Sequence, residues 1–267
     1  MSSHIDVLGT TAIAILVVMV VTWLVSLPMR DAGIVDIMWG AGFVISGWAA
    51  YFTGDGHDGR SDLIIAMVSI WGLRLAFHLA RRNLGAGEDW RYRLMRNKHG
   101  DRFAIRSLVT VFLLQGVLMW VVSLPVQLAM TPTGPAIGWI AVVGVLLWGI
   151  GLFFEAVSDA QLTRFKADPD NAGQVLDDGL WRYTRHPNYF GDFCVWWGIF
   201  LVAAETTDAL AGIIGPIVMT ILLTRVSGVP MLEHSIAKRR PGYADYVERT
   251  AAFIPRLPTA KPDEPAS

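Results

Sequence analysis

The chain has a single cysteine, Cys194, in 267 residues, which excludes a disulfide framework and a cysteine-based metal site. Charge is scarce too: Asp, Glu, Lys and Arg together make up 17%. The basic stretches are short and flank apolar runs, so no nucleic-acid surface is expected. A basic leader is also missing. His4 and Asp6 stand where a secretory signal would carry positive charge, and the apolar run behind them is long enough to span rather than be cleaved. A soluble dinucleotide-binding fingerprint is lacking, because Gly85-Ala-Gly87 is too short and follows an apolar helix, not a strand. No internal repeat is evident, and no group of residues suggests a metal site.

Apolar length is what the chain has in abundance. Hydrophobic residues make up 53%, eleven Trp among them, and the mean hydropathy is +0.44. Several runs reach the roughly 20 residues needed to cross a hydrocarbon core of about 30 Å. The pattern predicts an all-α polytopic membrane bundle of seven spans: Val7–Leu27, Ile34–Phe52, Ser61–Ala80, Ser107–Ala129, Ala136–Val157, Tyr189–Ala204 and Ala209–Arg225. Residues 1–258 are read as one domain, with 136–258 as its cofactor-binding half and 259–267 as a disordered, Pro- and acid-rich tail. Gly40, Gly42 and Gly47, and Gly144, Gly149 and Gly151, are read as points of close helix contact.

Positive charge predicts the orientation. The Arg81–Arg106 connection carries eight Lys/Arg against three acids, which places it in the cytoplasm. The Asp159–Asn188 connection and the tail after Arg225 carry most of the other basic residues. The alternate connections hold Asp55, Asp58 and Asp62, then no charge at Pro132–Pro135, then Glu205 and Asp208. Seven spans with the N-terminus outside and the C-terminus cytoplasmic satisfy every loop.

With that orientation the ionisable residues collect at one membrane face. Asp36 opens the second span. Trp71, Arg74, His78 and Arg81 form one helical stripe on the third. Glu155 and Asp159 end the fifth, and Asn188, Tyr189 and Asp192 open the sixth. A charge in lipid costs at least about 2.5–3.5 kcal/mol, so such groups should face one another or a wet cavity. Arg74 and Arg81 could instead snorkel to the interface. In the strip Trp181–Asp192, Pro187 suits a first helical turn and biases His186 away from helix. Arg185 and His186 then precede a helix N-terminus, a place that attracts anions. With Lys166 and the Arg91–Arg106 cluster, the strip predicts a phosphate-sized electropositive pocket for either a phosphorylated cofactor or a lipid head group.

The strip Arg185-His-Pro-Asn-Tyr-Phe-Gly-Asp192, preceded by Glu155-Ala-Val-Ser-Asp159 and followed by Tyr243-Ala-Asp-Tyr246 and Phe253-Ile-Pro255, resembles the C-terminal half of the steroid 5-alpha-reductase family, most closely its bacterial branch. The Arg74, His78, Arg81 pattern and the Glu88-Asp89-Trp90-Arg91-Tyr92 loop are consistent with it. The resemblance implies a seven-helix integral membrane enzyme, in a bacterial inner membrane, with NADPH held in a cavity facing the cytoplasm. It implies reduction of the 4,5 double bond of a 3-oxo-4-ene steroid or another enone lipid, with hydride to the β-carbon and a proton to the α-carbon. The cofactor residues it implies are Arg81, Arg91, Tyr92, Glu155, Asp159, Lys166, Tyr183, Arg185, His186, Asn188, Tyr189, Asp192 and Tyr246. Glu155 departs from the family, standing where an Asn is usual. Asp36 and His78 are the implied catalytic pair that grips the 3-oxo oxygen, in place of the family's Glu and Tyr. A protonated carboxyl beside a carbonyl, with His78 bonded to the developing enolate, is physically sound. Trp23, Trp39 and Trp48 could line the steroid or simply pack. Membrane lipids are the other expected partner, and the oligomeric state is left open.

Two rivals belong to other classes. Arg-His-Pro-x-Tyr also occurs in isoprenylcysteine and phospholipid methyltransferases, where it serves S-adenosylmethionine, with Glu233 as the late acidic residue. A non-enzymatic lipid transporter would instead spread its polar groups through the bilayer midplane.

Overall fold

Ser3 opens the first helix with a reciprocal cap: its hydroxyl accepts from the Asp6 amide, and the Asp6 carboxylate accepts from the Ser3 amide at 2.8 Å. The computed structural model describes residues 3–55, 58–131, 137–205, 208–226, 228–229, 233, 236, 240 and 242–257. The elements are α1 (His4–Met29), α2 (Ile34–Thr53), α3 (Gly59–Asn83), the helical run α4 (Trp90–Val122), α5 (Leu124–Leu128), α6 (Trp139–Ala167), α7 (Pro187–Ala203), α8 (Ala209–Val226) and α9 (Tyr243–Arg249). No strand occurs among the described residues. The tail 259–267, read above as disordered, lies outside them.

Six of these helices, α1, α2, α3, α4, α6 and α8, are long and apolar enough to cross a membrane. The sixth expected span, the shortest of the seven, forms α7, whose 17 residues reach about 25 Å at 1.5 Å per residue, at the lower limit of a spanning helix. The fourth expected span also moves. Its helix begins at Trp90, not Ser107, because Asp89 caps it by accepting from the Arg91 amide at 2.9 Å. It breaks at Ser123, and α5 follows as a separate turn.

The chain divides into two compact units, 1–144 with 199–215, and 145–198 with 216–267. In the first, α1 buries Val7, Thr11, Ile15, Met19, Thr22 and Ser26, a stripe of steps of three and four. Its other side leaves Ile13, Leu16, Val17, Val21 and Leu24 about half exposed or more. An apolar face of that extent suits lipid and would not stay bare in water. The polar members of the stripe return their hydroxyls to carbonyls a turn back, Thr22 to Val18 at 2.6 Å and Ser26 to Trp23 at 2.7 Å. Thr11 also donates to Gln127 Oε1 at 2.8 Å, and Gln127 Nε2 donates to Ser123 Oγ and the Trp120 carbonyl. A buried amide is thus fully used, as an apolar setting demands. Helices α2 and α3 cross at Gly40 and Gly72, where a Cβ on Gly40 would stand 2.5 Å from the Gly72 carbonyl oxygen. The small-residue reading of Gly40 is met.

Unit two uses the same device. A Cβ on Gly151 would lie 2.5 Å from the Gly191 carbonyl oxygen, so α6 and α7 touch backbone to backbone beside Glu155. Gly149 meets nothing within 4 Å and has no such role. The strip between α6 and α7 lies back on α6, with Trp181 donating to the Ser158 carbonyl at 3.1 Å and Gln161 accepting from the Leu180 amide.

Candidate functional site

Two clusters of charged and aromatic side chains carry the expected site residues, one in each unit.

In the first unit Asp36 stands in the opening turn of α2. Its Oδ2 accepts from Arg91 at 2.8 Å, and its Oδ1 accepts from the Tyr92 hydroxyl at 2.8 Å. Arg91 also donates to Asp89 at 2.9 Å, and Gln115 approaches the Tyr92 oxygen at 3.4 Å. The capped start of α4 presents Arg91 and Tyr92 together. Glu88 secures this arrangement by accepting from the Ala32 amide at 2.9 Å and from Arg96 through both oxygens, at 2.9 and 2.7 Å. Burial pushes the Glu88 and Asp89 carboxyls up, but their hydrogen bonds, chiefly from Arg96 and Arg91, outweigh it and hold both below their ordinary values.

The hydroxyl bonded to Asp36 is that of Tyr92, while His78, expected to share the grip on a substrate oxygen, stands on α3. The α3 stripe grades from buried Trp71 through half-buried Arg74 and His78 to exposed Arg81, whose guanidinium lies 5.6 Å from the centre of the exposed Phe77 ring. Of the three Trp that could line a steroid or pack, Trp23 donates to the Ala104 carbonyl, Trp48 donates to Ser69, and Trp39 packs edge-on against Phe43.

In the second unit Glu155 and Asp159 are buried, one turn apart on α6. Asn188 turns its amide oxygen to the Tyr189 amide at 3.1 Å, and Asp192 is half-buried one turn further on. His186 stacks flat on Tyr189, ring centres 5.4 Å apart, and shares Glu233 Oε1 with Arg185, at 3.2 and 2.8 Å. Arg185, expected at a phosphate, has several partners within the protein. Besides Glu233 it donates to the carbonyls of Val247 and Thr250 at 2.9 and 2.7 Å, while its own amide donates to Ala251. Its donors bind the chain's last described segment to the strip. Tyr246 donates to the Trp181 carbonyl, and the exposed Tyr183 accepts from the Arg256 amide through its own carbonyl. Burial raises the hydroxyl of neighbouring Tyr243 to about 12, so it stays protonated.

Lys166, with Arg240 and Asn171, lines a cavity of about 150 Å³, next to a groove of about 510 Å³ lined by Ala172, Gln174, Asp177, Tyr246 and Arg249. The two share Ala172. Lys166 and Arg240 at the cavity, and Arg249 and Tyr246 at the groove, supply cations and an aromatic ring.

Residues 22–250 match the family described as "Protein of unknown function (DUF1295)". The chain belongs to the DUF1295 family. That family is related to steroid 5-alpha-reductase-like membrane proteins. This DUF1295 chain is also 23% identical over 274 residues to a protein of Schizosaccharomyces pombe described as uncharacterized, covering 89% of the chain and 76% of that relative. No solved structure matches it.

Sequence reasoning passed over Gln115, Glu88 and Asp89 of the DUF1295 chain. Gln115 had a signal, being the polar amide in the apolar run 107–122. Glu88 and Asp89 were quoted as motif letters, and only the folded loop reveals them as anchors. Glu205 was read as a loop charge. Its side chain is 7% exposed, pairs with Arg60 at 3.3 Å and accepts from the Gly138 and Ala141 amides at the start of α6. It is a helix clamp.

Proposed function

We propose that this protein is a membrane-embedded, NADPH-dependent reductase acting on the 4,5 double bond of a 3-oxo-4-ene steroid or a related enone lipid. The observation that supports it is the Asp36–Tyr92–Arg91 cluster at the end of an apolar bundle. Hydrogen bonds from Arg91 and Tyr92 hold the Asp36 carboxyl in place. The proton-bearing group is Tyr92. Its hydroxyl is the donor suited to the 3-oxo oxygen, where negative charge builds as the double bond is reduced. Asp36 orients that hydroxyl and Gln115 flanks it. His78, half-buried on α3, is assigned a secondary role.

When bound, NADPH supplies the hydride for the β-carbon, while the α-carbon takes a proton from solvent. Glu155, Asp159, Asn188, Tyr189 and Asp192 are the groups we assign to its polar edge, with Lys166 at the small cavity and Tyr246 at the groove. Arg185 and His186 are positioning residues that fix the strip. We place the basic connections and this site on the cytoplasmic side of a bacterial inner membrane, following their positive charge.

Purified protein incubated with NADPH and a 4-ene-3-one steroid should yield the saturated ketone by mass spectrometry. Absence of that product across a panel of enone lipids rejects the reading. One observation favours a second reading, an S-adenosylmethionine-dependent methyltransferase: Glu233 meets Arg185 and His186 as the late acidic residue of such enzymes is expected to do. Thermal stabilisation in detergent by NADPH and not by S-adenosylmethionine separates the two, and the reverse pattern selects the methyltransferase.

A further inference from the structure

The segment after α9 is tied to the strip by its backbone. The Arg185 amide donates to Ala251, the Thr184 hydroxyl donates to the Phe253 carbonyl at 2.9 Å, and the Arg256 amide donates to Tyr183 at 3.1 Å. Phe253 turns inward, its ring 6.2 Å from that of Phe190 and 5.6 Å from that of Phe193, both edge-on. Phe190 in turn packs on Phe154 at 5.1 Å. Phe154 is the last residue of α6 before its first charge, Glu155, so this aromatic ladder marks the apolar limit of a membrane-spanning helix. At that level Ile254 and Leu257 point away from the protein, 70% and 82% exposed, with the exposed Arg256 between them.

Large apolar side chains held in the open by a fixed backbone need a non-aqueous neighbour. A segment lying at the boundary of a spanning helix, with a cation interleaved, has the composition of an in-plane lipid contact. We propose that residues 253–257 form an interfacial anchor: Ile254 and Leu257 enter the acyl region while Arg256 meets anionic lipid phosphate. The surface continues the lipid-facing side of α6, where Ile150 and Phe153 are also about half exposed. Because Arg185 and Thr184 join this segment to the strip, the anchor sets the level of the strip in the membrane. It does not depend on which reaction the protein performs.

The test uses the full chain in nanodiscs containing anionic lipid. Ile254→Cys and Leu257→Cys are labelled in turn with an environment-sensitive fluorophore, and Asp170→Cys in the polar loop serves as the water-facing reference. Cys194 is buried, and labelling of the unmodified chain gives the background. Quenching by lipid-borne nitroxide at position 254 or 257, with iodide quenching at least several-fold below that of position 170, supports the anchor. Iodide quenching equal to position 170 at both sites, with no nitroxide effect, overturns it. Arg256→Glu in the labelled background should lower nitroxide quenching in anionic nanodiscs and leave it unchanged in zwitterionic ones; equal loss in both rejects the headgroup contact.

Discussion

Arg91 with Asp36 and Arg185 with Glu233 look alike on paper. Each is an arginine and a carboxylate at 2.8 Å, with aromatic side chains close by. The difference lies in what else each arginine holds. Arg185 is 9% exposed at its side chain and spends its other donors on two backbone carbonyls. Arg91 is 34% exposed and, among the described residues, its guanidinium bonds to the short carboxylates Asp36 and Asp89. An arginine bound to backbone carbonyls is a structural tie, since removing it strips two segments of the hydrogen bonds that join them. An arginine between carboxylates sets charge and orientation. The first kind holds the chain together; the second can serve chemistry.

The sharpest way to break this contrast is Tyr92→Phe. It should lower turnover by about 10²–10³-fold with little change in melting temperature, as loss of an oxyanion-type donor does. Asp36→Ala and His78→Ala should each lower turnover while cofactor binding, followed by fluorescence titration, persists; unchanged rates in Asp36→Ala would remove the assignment. Next in size is Arg185→Ala, expected to destabilise the detergent-purified protein by about 3 kcal/mol, because a buried cation leaves a carboxylate and two carbonyls behind. Thermal unfolding followed by Trp fluorescence checks it. A loss below about 0.5 kcal/mol, the usual size of a surface change, would put Arg185 in the same class as Arg91.

Acid offers a third comparison. Burial pushes the Glu233 carboxyl up, but its hydrogen bonds from His186 and Arg185 dominate and keep it below the ordinary 4.5. A group lowered in the folded state contributes stability that is complete above its unfolded value and is lost as pH falls through the folded one. Melting temperature should therefore drop below about pH 4.5, and Glu233→Gln should be less stable at neutral pH with a flatter acid limb. The smallest effect is expected from Gln115→Leu. Its contact with Tyr92 is long at 3.4 Å, so turnover should change by less than about threefold.

Much of the architecture was open to reading in one dimension. The capped start of α1, the apolar lengths and the Gly40 crossing depend on neighbours a few residues away, or on a solvent that treats every long apolar run alike. Helix ends show the limit: α7 runs over Pro187–Ala203 and the fourth helical run starts at Trp90, bounds that depend on caps and turns and not on apolar length alone. The site was legible as a list of polar residues, but their pairing was not. Asp36 and Tyr92 are 56 positions apart, and a helical stripe drew attention to His78 instead. Likewise Arg185 carried every local mark of an anion binder, and its acceptors come from 48 to 65 positions further along.

Composition and periodicity by themselves determined that this chain is helical, lies in a membrane and gathers its charge at helix ends, because partition into lipid acts on each segment separately. Which charge neutralises which was decided only in the tertiary structure. Coulomb and hydrogen-bond energies act over a few ångströms, and closeness on that scale between distant residues is a property of the packed chain alone.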